Sequence, residues 1–285
     1  FRRVLFRSGR GRRRLGSPLA WLILLAGVLF FVVPLLSTLE FSLRAAAKDP
    51  VTGAMIRPSL QAYVLVLRDA KFVSSLLYSF RMALETIVVS LLLIIPTAYW
   101  VRLRMPRLRP IVEFITLMPF VVPPVVLAFG LIRTYSAKPL ALTSSALGND
   151  LLLVGAYVVL SFPYMYRAVD TGLAAIDVRT LTEAAQSMGA SWPRILWQVI
   201  FPNLRSAILS GAFLTLAIVI GEYTIANFVV GTKPFGPYLS LLGQNKAYEP
   251  AAVSLISFLI TWAAMLALSF VGRGTRGRVQ VAGAR

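Results

Sequence analysis

LTEAAQSMGASWPRILWQVIFPNL, Leu181–Leu204, is a polar elbow in a chain otherwise built of long Leu, Val, Ile and Phe runs. Leu181, Ala184, Ala185 and Met188 recur at i, i+3, i+4 and i+7, the spacing of one helix face. Glu183 sits off that face. Gly189 follows where a helix ends in a left-handed residue. Ser191 is placed to cap a second helix, with Pro193 in its first turn. Ile195, Leu196, Val199 and Ile200 give that helix one apolar side, and Pro202 is expected to end it. The expectation is a helix–turn–helix at a membrane surface. One side rests on the protein and the other presents small residues and a carboxylate. Small residues allow close approach, so a partner's groove could seat the elbow. An amphipathic linker lying on lipid headgroups fits the same periodicity equally well.

Outward from the elbow, 58% of the 285 residues are hydrophobic, 14% are charged, and the mean hydropathy is +0.76. Soluble domains carry about a quarter charged residues, so the composition is that of an all-α polytopic membrane protein. The net charge of +18 sits in loops between apolar runs rather than on one stripe. It therefore argues for the bilayer as a partner and against nucleic acid. With no Cys and no His, disulfides, thiol or His catalysis and common zinc sites are excluded. No metal or cofactor is expected.

A span needs about 20 apolar residues. Six segments qualify: Leu19–Leu39, Met82–Val101, Ile111–Ile132, Leu151–Val169, Leu204–Val230 and Ala251–Val271. With the N-terminus inside, 19 of the 29 Lys and Arg fall inside. Both termini and the elbow are therefore expected in the cytoplasm. The expected organisation is a basic tail over 1–18, a six-helix domain over 19–271 with the elbow loop at 170–203, and a tail over 272–285. RVLFRS, Arg3–Ser8, reads like a translated sequencing-adapter end and is set aside from the fold. The outer stretch Glu40–Arg81 is expected to hold two short interfacial helices, SLQAYVLVLRD and FVSSLLYSF. Gly231–Pro250 reads as a turn-rich loop.

Prolines fall inside the spans at 34, 96, 119, 123, 124 and 163. Three lie in LMPFVVPPVVLAFG, Leu117–Gly130, and point to a broken helix that suits a gate or pore wall, with Pro123 and Pro124 as candidate pathway residues. Glu222, beside Tyr223, lies within the fifth span. A membrane carboxylate is a functional candidate by default; the alternative is a hydrogen bond to a neighbouring helix. Glu85 is read as pairing with Arg81. GTKPFGPY, Gly231–Tyr238, has two glycines at P-loop spacing, but Pro237 and Tyr238 replace the required Lys and Ser/Thr. It is not read as a nucleotide site, and the chain is not expected to be an enzyme.

The elbow carries a specific pattern: Glu183-Ala184-Ala185, then Gly189, then Val199, Phe201 and Pro202. It resembles the EAA loop of ABC importer permeases, with Val199 and Phe201 as mild departures. PTAYWVRLR, the proline-rich third span and GEYTIANFVVG are similar to the same family, across roughly Ser59 to Val271. The resemblance implies the type I (MetI-like) importer fold of six helices in a bacterial inner membrane. It implies a coupling role for Glu183, Ala184, Ala185, Gly189 and Pro202 on a cytoplasmic ATPase dimer that supplies the hydrolysis. It also implies a second permease subunit, expected to be a paralogue, and an external substrate-binding protein. The pattern looks closest to spermidine/putrescine permeases, near the phosphonate and ferric-iron groups. Glu222 and Tyr223 would suit a cationic amine. A secondary transporter would leave the EAA pattern unexplained.

Overall fold

The computed structural model describes residues 18–48, 53, 55–56 and 58–273. Arg3–Ser8 and almost all of both expected tails lie outside the described residues. Helix α1 (Pro18–Ser42) is apolar on every side. A two-residue antiparallel bridge, β1 (Ala47–Lys48) with β2 (Met55–Ile56), leads to α2 (Gln61–Arg68). Next come α3 (Ala70–Arg104), α4 (Arg109–Val121), α5 (Pro124–Tyr135) and α6 (Ala146–Ala174). The elbow comprises α7 (Val178–Ser187), α8 (Trp192–Arg194), a π-helical turn over Ile195–Ile200, and α9 (Phe201–Asn203). The chain closes with α10 (Arg205–Gly221), α11 (Thr224–Val230), α12 (Phe235–Asn245) and α13 (Glu249–Arg273).

Among the described residues, four helices are long and apolar enough to cross a membrane: α1, α3, α6 and α13 through Ala267. Two bent pairs raise the number to six. Pro106–Val121 meets Pro124–Tyr135 at 99°, and Trp192–Asn203 meets Arg205–Gly221 at 78°. The expected break in the third span therefore falls at Val122–Pro123. Val122 is extended because the residue before a proline is driven out of the helical region. Pro34, Pro96, Pro119 and Pro163 are carried inside unbroken helices.

Helices α3, α6 and α10 pack on one another and hold the core. Two glycines let α10 approach α6. A Cβ added at Gly172 would come within 2.5 Å of the Ala207 Cβ, and one at Gly211 within 2.6 Å of the Met165 sulfur. Close backbone approach through small residues is a principal source of helix association in lipid, where water gives no drive between helices. Between α3 and α6, Ser90 and Ser161 add a buried hydroxyl contact at 3.2 Å.

Two expectations for the outer stretches are corrected. FVSSLLYSF is not a separate interfacial helix but the first turns of α3. Asp69 caps α3 by accepting the Lys71 N–H at 2.9 Å, and no Gly or Pro interrupts the chain before Pro96. Gly231–Pro250 is not a plain loop. It folds into α12, whose Phe235, Pro237 and Tyr238 are buried. The Arg81–Glu85 pair forms, at 3.5 Å, and Arg81 also binds Asp150 of α6.

Candidate functional site

The elbow begins at Asp177, whose carboxylate accepts the Thr180 N–H at 3.1 Å and the Thr180 hydroxyl at 2.7 Å. These bonds, the hydroxyl first, hold the Asp177 pKa below the usual carboxylate value. Helix α7 ends in a Schellman turn: Ala190 N–H donates to Ala185 O at 3.0 Å and Gly189 N–H to Gln186 O at 2.8 Å. Gly189 takes the left-handed conformation, φ +78°. Ser191 stands at the start of the second helix, but its side chain makes no capping bond.

The buried face of α7 differs from the expected one. Val178, Thr182 and Ala185 face inward, whereas Ala184 and Met188 face out, Met188 at 81% exposed. The reason lies 83 residues upstream. The Thr182 hydroxyl donates to Val178 O at 2.6 Å, so the Tyr99 hydroxyl, 2.9 Å away, donates to it. Tyr99 is fully buried, and burying its hydroxyl unpaired would be costly. That bond sets the rotation of α7. The outward face thus carries Glu183, Ala184, Ser187 and Met188, and Glu183 pairs with Arg179 at 2.8 Å.

The second arm also differs. Pro202 does not end the helix; the chain remains helical to Asn203 and turns at Leu204. Proline offers no N–H and crowds the carbonyl four residues back. The preceding turn widens to π geometry, with Phe201 N–H reaching Leu196 O. Ile195 and Ile200 are buried, with Leu196 and Val199 beside them. Trp192 packs on Trp100, ring centroids 4.8 Å apart, and on Tyr99 at 6.3 Å, and the Arg104 guanidinium lies over Trp192 at 5.7 Å. The end of α3, AYWVRLR, therefore clamps both arms of the elbow.

Beside the elbow, Asp170 of α6 ties two further helices together. Arg102 Nη1 donates to its Oδ1 at 3.0 Å, and Arg109 Nη2 to its Oδ2 at 2.8 Å. Arg109 also pairs with Glu113 at 2.9 Å. Asp170, Arg109 and Glu113 line an open cavity of about 890 Å³ between α4, α6 and α10. A smaller cavity, about 330 Å³, lies in the bend between α4 and α5, lined by Pro119, Pro123, Pro124, Leu160 and Ile218. Phe120 and Tyr164 line both cavities and meet edge to face at 5.6 Å.

Glu222 is placed differently from the sequence expectation. The fifth span breaks there: Glu222 is extended (φ −72°, ψ 126°), between α10 and α11. Its two carboxylate oxygens accept the N–H groups of Ile225 at 2.8 Å and Ala226 at 3.0 Å. Gly236 of α12 packs directly against the Glu222 backbone. Tyr223 is 42% exposed. The structure joins Pro123 and Pro124 in one cavity but does not bring Glu222 or Tyr223 to its wall.

The family model of binding-protein-dependent transport system inner membrane components matches residues 90–279. The chain belongs to this family. A probable sulfate transport system permease protein of Chlorokybus atmophyticus is 29% identical over 238 residues, 81% of this chain and 78% of its own. The molybdenum transport system permease protein of Azotobacter vinelandii is 28% identical over 169 residues, 55% of this chain and 74% of its own. The spermidine/putrescine transport system permease protein of Escherichia coli K12 is 25% identical over 223 residues, 72% of this chain and 78% of its own. In fold, the chain matches a bacterial ABC transporter that imports the acidic polysaccharide alginate, with a TM-score of 0.66 and 13% identity. That match covers 90% of this chain and 95% of the other. The protein is thus an ABC importer permease of the inner membrane, a transport component and not a member of a catalytic family. The matched stretch contains the elbow, both bent pairs and the two cavities just described.

Tyr99, Thr182, Trp192, Asp170, Phe120 and Tyr164 were not singled out in the sequence. Tyr99 and Trp100 do lie in the quoted PTAYWVRLR, but nothing local pairs them with residues more than 80 positions away.

Proposed function

We propose that the elbow is the joint through which a cytoplasmic ATPase dimer drives this permease. Glu183, Ala184, Ala185 and Gly189 shape the seated turn, and Pro202 shapes its second arm. The reading rests on one observation: an outward face carrying Glu183, Ala184 and the 81%-exposed Met188, held on the α3 end by the Tyr99–Thr182 bond and the Trp100–Trp192 contact. A movable partner could transmit force through such a joint only if its attachment were stiff. A second permease subunit, a paralogue, completes the pathway, and an external binding protein delivers the solute. Both termini and the elbow face the cytoplasm. The six-helix domain spans 19–271. ATP hydrolysis belongs to the partner. Replacing Glu183 with Lys should leave the permease inserted yet lower ATP-driven uptake and release the ATPase from the membrane. Wild-type uptake with full ATPase retention would sink the reading.

The solute path runs through the two cavities, with Phe120 and Tyr164 as the constriction and Pro123 and Pro124 fixing the bend. The cargo is a small charged solute. A polyamine is supported by the relative from Escherichia coli and by the charge of Glu222 beside Tyr223, which stand at the α10–α11 break outside the two cavities. Sulfate- or molybdate-type anions are supported by two other relatives, and by the commitment of both Glu222 oxygens to backbone N–H groups. Phosphonate and ferric iron remain further cargo classes for this group. Uptake of labelled spermidine and of labelled sulfate into cells carrying Glu222→Gln separates the two main readings. Selective loss of spermidine uptake supports the amine; wild-type spermidine uptake removes Glu222 as its selector.

A further inference from the structure

Helix α3 is 35 residues long, about 52 Å at 1.5 Å per residue. At its end opposite the elbow, a third cavity of about 380 Å³ opens between the start of α3, the turn 231–234 and α12. Lys71, Lys233 and Lys246 converge on it from these three elements, with Thr232 beside them. The acidic residue in its wall, Asp69, is already engaged: Oδ1 accepts the Lys71 N–H at 2.9 Å and Oδ2 the Tyr238 hydroxyl at 2.9 Å. Burial, then the neighbouring Asp69, raises the Tyr238 pKa, so that phenol remains a donor. Among the described residues, Lys246 has Glu249 at 3.7 Å, and no ion pair forms at Lys71 or Lys233.

The walls are fixed. Gly231 turns the chain at φ +72°. Phe235 N–H donates to Ser79 Oγ at 2.9 Å, pinning the start of α12 to α3. The three lysines are exposed at this one cavity, so their side chains are free to turn toward a ligand in it. Like charges brought together repel, and an anion that accepts charge-assisted hydrogen bonds from all three removes that cost.

We propose that this cavity binds a tetrahedral oxyanion of the sulfate or phosphate class, supplied free in solution or as the phosphate of an anionic lipid headgroup. The assignment does not depend on the coupling role of the elbow. The test uses the full chain in nanodiscs. In phosphatidylcholine discs, sodium sulfate and sodium phosphate are titrated by calorimetry at constant ionic strength, with chloride as the balance. In mixed discs containing phosphatidylglycerol, the lipid that stays bound is identified by native mass spectrometry. Saturable sulfate or phosphate binding, weakened at least tenfold in the double variant Lys71→Gln/Lys233→Gln but not in Lys138→Gln, establishes a free-anion site. Selective retention of phosphatidylglycerol, lost in the same double variant, establishes a lipid site. Absence of both signals, or either signal unchanged in the double variant, overturns the proposal. Thermal unfolding of each variant at the wild-type temperature shows that the fold is intact.

Discussion

Gly189 gives the elbow its turn, and it can be tested with a graded series. Its φ is +78°, and no atom lies within 4 Å of where a Cβ would sit. Any cost of substitution therefore comes from the backbone conformation and not from a clash. For an ordinary L-residue the left-handed region costs roughly 1–2 kcal/mol, which lowers the population of the formed turn about 5- to 30-fold. Val, being β-branched, costs more. Asn tolerates the region. Gly189→Asn should therefore stay near wild type, Gly189→Ala should be intermediate, and Gly189→Val should be worst. The assay is ATP-driven uptake in proteoliposomes holding the permease with its ATPase, alongside co-sedimentation of the ATPase with the membrane. If the elbow is the joint, both readouts fall in that order. If Asn proves as damaging as Val, a contact made by the side chain, and not the backbone angle, governs the turn. If Ala and Val both match Gly, the turn plays no part in coupling.

Tyr99→Phe removes the hydroxyl that fixes the rotation of α7. A buried neutral hydrogen bond contributes about 0.5–1.5 kcal/mol, so hydrogen exchange in Val178–Ser187 should quicken while overall unfolding temperature changes little; unchanged exchange would contradict the clamp. In α6, Gly172→Ala should destabilise the permease by about 1–3 kcal/mol through crowding against Ala207. Gly155→Ala, on the same helix with open space around it, should be neutral or stabilising by up to ~1 kcal/mol. Thermal unfolding in detergent compares the pair, and equal effects would refute the close approach of α6 and α10.

What the sequence determined by itself was local. The two-armed elbow, the left-handed Gly189, a break within the proline-rich third span and the long apolar runs follow from caps, periodicity and backbone rules that act within a few residues. The EAA pattern also carried the family resemblance, because its spacing is a local property. What only the tertiary structure decided depends on residues far apart in the chain. Periodicity alone put Met188 on the inner face of α7; the Tyr99 hydroxyl turned Thr182 inward instead and left Met188 exposed. Glu222 read as a carboxylate inside a continuous span, but Gly236 packs against its backbone at a helix break, and its oxygens satisfy the N–H groups freed there. The edge-to-face contact of Phe120 and Tyr164 joins α4 to α6, and the lysine cavity joins three elements between positions 69 and 246. Hydrophobic period and turn chemistry fix where helices start, stop and bend. Which face each helix buries, and which polar groups meet there, is set by the cost of leaving buried hydrogen-bonding groups unpaired once the helices have packed.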